Sequence, residues 1–246
     1  MFTDIVLIII GLVAGIINSI AGGGMILGFP ALIAAGVPAL SANATANIVV
    51  LPGQLASAWG YRRELRKLPR RYLWLLLPVA IGSALGAVIL RHTTGSQFEH
   101  VAPYLIVLAI ALFAAQPFLH AHGRRSMQRG VPLLVIGLLL LVGSIYGGYF
   151  GVGFGFVTLA ILSLTTLPSI HEMNGLKNLL AACIAAVDII FLFHGHYIYW
   201  HTGIFMAVGN IGGGYLGARF AQRVPVRMIR YAVICFGVIV AAYFVG

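Results

Sequence analysis

Two short clusters of polar side chains interrupt apolar stretches of this chain, one in each half. Their members are Asn43, Thr45 and Asn47 in the first half and Asn174, Lys177 and Asn178 in the second. Asparagine donates and accepts hydrogen bonds without carrying a charge, threonine does the same, and an ammonium group supplies three donors. Such groups could bind a small anion in an apolar environment and still release it.

Lys177 differs from the other basic residues because it lies in an apolar neighbourhood rather than in a clear loop. An ionisable side chain inside a membrane is costly, and its presence indicates a function. The alternative is that Lys177 lies at the inner end of its helix and extends to lipid phosphates. Asp188 follows eleven residues later, about 20° around a helix and roughly 16 Å along it. It is a candidate proton site for coupled transport, or it pairs with a group on another helix.

Glycines precede a short apolar segment in each half. They are Gly22, Gly23 and Gly24 in the first half and Gly153 and Gly155 in the second. A helix that begins inside a membrane has unpaired N–H groups and a partial positive charge at its start, and glycine allows an anion to approach that backbone. We therefore predict two opposed helix N-termini that hold an oxyanion. The alternative is that these glycines only permit close helix packing.

Three further residues are weaker candidates, whose simplest role is to bridge helices: Asn18, Ser19 and Gln54. For the glycines of two small-residue patterns, packing is the preferred interpretation. These glycines are Gly82, Gly86, Gly213 and Gly217.

The glycines and the polar clusters recur at an offset of about 131 residues. GLVAGIINSIAGGG corresponds to GSIYGGYFGVGFGF, NATAN to NGLKN, and IGSALGA to GGGYLGA. Glycine-interrupted hydrophobic segments at matching positions of an internal repeat are typical of secondary transporters. The predicted organisation is a first repeat over 1–119, a connector over 120–130 and a second repeat over 131–246.

The composition indicates a membrane protein, since 61% of the residues are hydrophobic, 8% are charged and the mean hydropathy is +1.02. Apolar stretches near 18 residues predict membrane helices. Eight such segments occur, at roughly 4–20, 42–60, 72–90, 101–119, 131–150, 176–194, 201–218 and 228–245. Two shorter ones, at roughly 25–37 and 154–167, rise only about 20 Å as helices and are expected to be broken or re-entrant. Tilted spanning helices are the alternative.

The basic residues predict the orientation. Thirteen of the 15 Lys and Arg residues lie in three loops, around 62–71, 124–129 and 219–230. All three loops fall on one side if the segments alternate, and the positive-inside rule makes that side cytoplasmic. The two halves are then inverted, the connector is cytoplasmic and both termini lie outside the cell (inner) membrane. Basic residues confined to short loops do not indicate nucleic-acid binding.

These motifs together resemble the sulfite exporter family TauE/SafE. The residues that carry the resemblance are GLVAGIINSIAGGG with Pro30 and NATAN, then GSIYGGYFGVGFG, MNGLKN and HGHYIYWHTG leading to GNIGGGYLGARFA. The resemblance implies export or uptake of sulfite and sulfur-containing organic anions. The second half has no proline matching Pro30, so we do not expect the two half-sites to be equivalent.

Two other functions are weighed against anion transport. The histidines His194, His196 and His201, with His120 and His122, could capture a divalent metal for transport. A structural membrane subunit is the other alternative. No HExxH or GxSxG motif indicates an enzyme, and we predict no cofactor and no bound metal.

The sequence therefore predicts an all-α membrane protein, an inverted-repeat helical transporter with five helical elements per half. The expected function is alternating-access transport of a small sulfur-containing anion such as sulfite or an organosulfonate. The expected partners are the anionic substrate, membrane lipid and a second copy in a homodimer, without nucleic acid.

The predicted topology can be tested by cysteine labelling. A single cysteine in the 194–201 loop should react with an impermeant reagent added outside the cell, whereas one near Arg66 should not. The two loops are predicted to lie on opposite sides of the membrane. The reverse labelling pattern would contradict the inverted-repeat interpretation.

Overall fold

The fold consists of helices packed against helices. The computed structural model describes residues 2–126, 131–193 and 197–221, apart from the side chains of 112–126, and those residues contain no strand. The helices are α1 (Phe2–Ile20), α2 (Met25–Ala34), α3 (Ala39–Gly60), α4 (Arg62–Leu65), α5 (Leu76–His92), α6 (Gly95–Ser126), α7 (Leu133–Tyr149), α8 (Phe154–Leu162), α9 (Ile170–Leu192) and α10 (Trp200–Phe220). A 3₁₀ turn over Arg70–Leu75 leads directly into α5.

Three of the described helical stretches are long and apolar enough to cross a membrane: α1, α9 and the stretch Arg70–His92 that includes α5. Helices α3 and α10 have similar lengths, but α3 contains several amide side chains and α10 contains many glycines, which lower their apolar content. The prediction of an all-α membrane protein is thus confirmed. The apolar segment predicted at 228–245 lies outside the described residues.

The short elements are close to where the sequence predicts them. Helix α2 has 10 residues and α8 has 9, so each rises only about 14–15 Å, against a hydrocarbon core of roughly 30 Å. Helix α2 ends earlier than expected because Gly36 adopts a left-handed backbone with φ of +88°. Neither helix can cross the membrane alone, so both depend on neighbouring helices to cover them.

The helices of the two halves pack in matching pairs. Helix α1 runs along α10, and α5 runs along α7. Helix α3 contacts both α9 and α10, while α9 contacts both α3 and α5. Suppose that α1, α2, α3 and α5 correspond, in that order, to α7, α8, α9 and α10. Replacing each helix by its counterpart then turns the α1–α10 contact into the α7–α5 contact and the α3–α10 contact into the α9–α5 contact, so the set of contacts is the same. The inverted orientation of the halves across the membrane stays a prediction.

Glycine brings the paired helices into backbone contact. A Cβ atom at Gly11 would overlap the Met206 carbonyl, and one at Gly213 would overlap the Leu12 carbonyl. The α5–α7 pair is built in the same way, because Gly82 and Gly86 face carbonyls of α7. Lipid tails supply no hydrophobic force between helices, so such close contact is the main source of attraction. Packing is therefore the role of these glycines, as the sequence indicates.

Helix α2 is held inside the protein by aromatic rings. The Phe29 ring on α2 lies edge-on to the rings of Phe98 and Phe150, with centroids 6.4 and 5.6 Å apart. All three side chains are fully buried. Edge-on aromatic pairs add to the stability gained from burial. These rings fix the position of the short helix, and with it the chain segment just before α2.

The glycine contacts generate a matched test of stability. Gly213→Ala should destabilise the protein by about 1–3 kcal/mol, because the new methyl group has no space and the helices must separate. Gly212→Ala is the control, since its Cβ would make only an ordinary contact at 3.9 Å with Leu12. Thermal unfolding in detergent measures both variants. Equal unfolding midpoints for the two variants would contradict the close α1–α10 contact.

Candidate functional site

The two chain breaks that interrupt the halves meet each other. The first break, residues 21–24, separates α1 from α2, and the second, residues 150–153, separates α7 from α8. Gly22 and Gly153 have φ of +99° and +85°, a left-handed conformation that favours glycine. A Cβ atom on Gly22 would lie 2.6 Å from the Cα atom of Gly155. The backbones of the two halves therefore touch where α2 and α8 begin.

Packing fills the space beside the two remaining glycines of the first break. A Cβ atom at Gly23 would overlap the Phe156 ring, and one at Gly24 would overlap the Ala14 carbonyl. The amide of Gly24 donates to Asn18 Oδ1 at 2.8 Å. Asparagine commonly accepts hydrogen bonds from N–H groups at the start of a helix. One donor that the sequence assigns to an anion is thus already bound by Asn18, which we had ranked as a weaker candidate.

A cavity of about 40 Å³, with a mainly apolar lining and four polar side chains, lies beside the meeting point of the breaks. Its polar wall consists of Asn18, Asn47, Gln54 and Asp188, and Gly22 and Gly155 form part of its backbone wall. One water molecule needs roughly 10–15 Å³ of such volume, so the cavity has room for about three. The four polar side chains could bind a few water molecules or one small polar guest in a space of this size.

Asp188 contributes a buried carboxyl group to this cavity. Ser83 Oγ lies 3.1 Å from Asp188 Oδ1 and 3.3 Å from the Ile184 carbonyl, and its one proton serves either acceptor. Asp188 Oδ2 has no partner with strict hydrogen-bond geometry among the described residues, but the Asn47 amide lies close enough to interact with the carboxyl. In the same part of the chain no Lys or Arg pairs with it. This carboxyl therefore has hydrogen-bonding capacity left for a proton or a guest molecule in the cavity.

Lys177 is fully buried and binds the end of α1. Its ammonium donates to the carbonyls of Asn18 at 2.6 Å and Ser19 at 3.1 Å, and Asn178 Nδ2 donates to the Ser19 carbonyl at 3.4 Å. The last carbonyls of a helix lack partners within it and carry partial negative charge. The ammonium of Lys177 satisfies them, so its side chain does not extend to the lipid surface.

The first polar cluster binds the corresponding helix end of the other half. Asn43 Nδ2 donates to the carbonyl of Tyr149, the last residue of α7, at 2.8 Å. Position 46, which corresponds to Lys177, is an alanine. Each cluster thus supports the chain break of the opposite half. The first cluster does so with the Asn43 amide alone, and the second with the Lys177 ammonium and the Asn178 amide. The two chain breaks are therefore supported by groups of different charge.

The predicted site residues fall into three groups: those that line the cavity, those around the chain breaks, and two that lie elsewhere. Gly22, Gly155, Asn47 and Asp188 line the cavity. Around the breaks but outside the cavity wall lie Gly23, Gly24, Asn43, Gly153, Lys177 and Asn178.

Thr45 and Asn174 take other positions. Thr45 Oγ1 accepts from the Tyr199 amide at 3.0 Å, next to the start of α10. Asn174 is buried, with its Oδ1 atom unpartnered among the described residues. The sequence marks the cavity residue Gln54 only as a weaker candidate, and it does not mark Ser83, because a single serine in an apolar helix gives no distinct signal.

The histidines do not converge in the part of the chain that the structure describes. His201 is exposed, with Nδ1 3.9 Å from an Asp4 carboxyl oxygen. Within the described residues, no three His, Cys, Asp or Glu side chains lie close enough to hold a metal ion. His194 and His196 lie outside those residues, and so do the side chains of His120 and His122.

Comparison with known proteins identifies the family. A family model described as sulfite exporter TauE/SafE matches residues 7–244. The chain belongs to this family. The resemblance noted in the sequence is thus confirmed over nearly the whole chain, and the protein is a multi-pass membrane transporter rather than an enzyme.

Several bacterial relatives belong to the same group. A probable membrane transporter protein of Haemophilus influenzae is 32% identical over 247 residues, covering 96% of this chain and 92% of the relative. The probable membrane transporter protein YfcA of Escherichia coli K12 is 28% identical over 239 residues, covering 96% and 87%. A Sinorhizobium protein named ORF9, also a probable membrane transporter, is 27% identical over 225 residues, covering 91% and 85%. No solved structure matches the chain significantly.

Proposed function

We propose that this transporter moves a small sulfur-containing anion, sulfite or an organosulfonate, by alternating access. The observation that carries the proposal is the contact of two glycine breaks beside a cavity that contains Asn18, Asn47 and Asp188. Secondary transporters bind their substrates where broken helices of two repeats meet near the membrane midplane. The family description names sulfite, which supports an oxyanion as the cargo.

The size of the cavity supports a closed form of the transporter. Room for about three water molecules is too little for an anion of four or more heavy atoms with its hydration. The helices that surround the cavity must separate to admit the anion. Helices α3 and α9 both line the cavity, so their separation would open it.

Lys177 is the proposed cationic partner of the anion. An ammonium has three hydrogens, and the carbonyls of Asn18 and Ser19 account for two. The third hydrogen is the donor that we assign to the anion, together with the neighbouring amides of Asn178 and Asn174. In the other half the corresponding groups are the amides of Asn43 and Asn47.

Asp188 is the proposed coupling residue. A carboxylate in the cavity repels an anion, whereas a protonated carboxyl does not and can donate a hydrogen bond. Binding of the anion would therefore favour binding of a proton at Asp188. We infer proton-coupled transport, with the arginine-rich loops on the cytoplasmic side of the inner membrane and in contact with anionic lipid. No described residue favours the histidine-based metal transport.

A substitution at Lys177 tests the anion site. Lys177→Met removes the ammonium and keeps much of the apolar stem. Losing a charge-assisted hydrogen bond costs about 1.5–3 kcal/mol, and 1.4 kcal/mol is a tenfold change in affinity. Sulfite affinity should thus fall roughly ten- to a hundredfold in equilibrium dialysis, measured per folded protein. Lys67→Met, at an exposed position, is the control. Unchanged affinity in Lys177→Met would limit Lys177 to supporting the end of α1.

A substitution at Asp188 tests proton coupling. Asp188→Asn keeps the shape of the side chain and cannot exchange a proton. In proteoliposomes this variant should still exchange labelled sulfite across the membrane but should lose accumulation driven by a pH gradient. Asp4→Asn is the control, since Asp4 lies near the exposed His201 and away from the cavity. Persistent pH-driven accumulation in Asp188→Asn would return Asp188 to a structural role.

A further inference from the structure

The arginine-rich end of the molecule contains a second polar pocket. It has a volume of about 250 Å³ and lies between the ends of α3 and α10. Its wall consists of residues 60–64 together with Ala218 and Arg219. None of these residues lines the central cavity. The pocket is therefore a separate concave surface, about six times larger than the cavity between the breaks.

The pocket carries a positive charge. Three arginines and one glutamate line it, and in the described part of the chain Glu64 forms no ion pair with these arginines. The Arg62 guanidinium lies 5.2 Å from the centre of the Trp59 ring and donates to the Trp59 carbonyl, and Arg219 lies 5.2 Å from the Tyr215 ring. Such contacts hold the guanidinium groups in place. Guanidinium groups match the geometry of oxyanions.

Polar groups continue from this pocket into the protein. Tyr61 lines the pocket, yet only 2% of its surface is exposed, and its ring stacks on the His171 ring with centroids 6.4 Å apart. Ser19 lies beside it. Neither the Tyr61 hydroxyl nor the Ser19 hydroxyl has a partner with hydrogen-bond geometry among the described residues. The Ser19 carbonyl accepts from Lys177.

A sequence of buried polar groups thus joins the arginine pocket to the buried ammonium. The Tyr61 and Ser19 hydroxyls lie side by side between the two cationic sites. A polar molecule that passes from one site to the other would meet hydrogen-bonding groups along this path. The Tyr61 ring, stacked on His171 of α9, lies between the pocket and Ser19.

We propose that the arginine pocket binds a small free oxyanion and is the mouth through which the anion passes to and from Lys177. This inference rests on the proposed anion transport. The phosphodiester of an anionic lipid also presents a negative charge and oxygen acceptors, and it is the competing ligand. Arg63 and Arg219 are the residues to change, since both line the pocket and are exposed.

The test compares two charge-matched double variants. Arg63→Gln with Arg219→Gln removes two positive charges from the pocket. Arg70→Gln with Arg71→Gln removes two from exposed positions outside it. In equilibrium dialysis of the purified protein with labelled sulfite, the pocket variant should raise the half-saturating concentration roughly threefold to tenfold, and added salt should shrink the difference. The control variant should match the wild type.

The other outcomes either contradict the proposal or show whether the pocket or the transport function is wrong. Equal changes in both variants would indicate a general surface potential, and no change in either would leave the pocket without a role in anion binding. If the pocket variant loses bound phosphatidylglycerol in native mass spectrometry and keeps its sulfite affinity, the ligand is a lipid and the proposed mouth is wrong. If the pocket variant weakens sulfite binding but the wild-type protein shows no flux in proteoliposomes, the pocket stands and the transport function fails.

Discussion

The structure depends on satisfying backbone groups where two helices break inside the membrane. Hydrocarbon offers no hydrogen bonds, so an interrupted helix is tolerated only if other groups bind its free carbonyls and amides. Lys177 and Asn178 bind the carbonyls at the end of α1, Asn43 binds the carbonyl at the end of α7, and Asn18 binds the amide of Gly24. The breaks can exist because each half supplies donors to the other.

That requirement determines how the helices pack. Side chains on α9 reach the end of α1, and a side chain on α3 reaches the end of α7, so the two halves must interdigitate. The glycines of the α1–α10 and α5–α7 pairs permit the close approach of helices from different halves. Direct contact between Gly22 and Gly155 completes the arrangement. The chain breaks, the polar clusters and the packing glycines therefore all serve to satisfy the backbone groups that the breaks leave free.

The fold was largely predictable from the sequence, because long apolar segments and interrupting glycines are local signals. The extents of α2 and α8 could be estimated for the same reason. The hydrogen-bond partners of Lys177 were not predictable, since the carbonyls that it binds lie 159 and 158 positions away. A backbone carbonyl has no residue-type signature. Likewise, the importance of Asn18 depends on the turn at Gly22, which brings the Gly24 amide back to its side chain.

The difference between Lys177 and its counterpart Ala46 has an energetic consequence. In an alternating-access transporter built from two identical inverted halves, the inward-open and outward-open forms would be related by a two-fold rotation and would have equal free energy. If this protein works as proposed, an ammonium in one half only would make the two forms bury different groups and would remove this degeneracy. A gap of 1.4 kcal/mol already gives a tenfold difference in population. Without substrate, the protein would then be mainly in one of the two forms, with its binding site open to one side of the membrane.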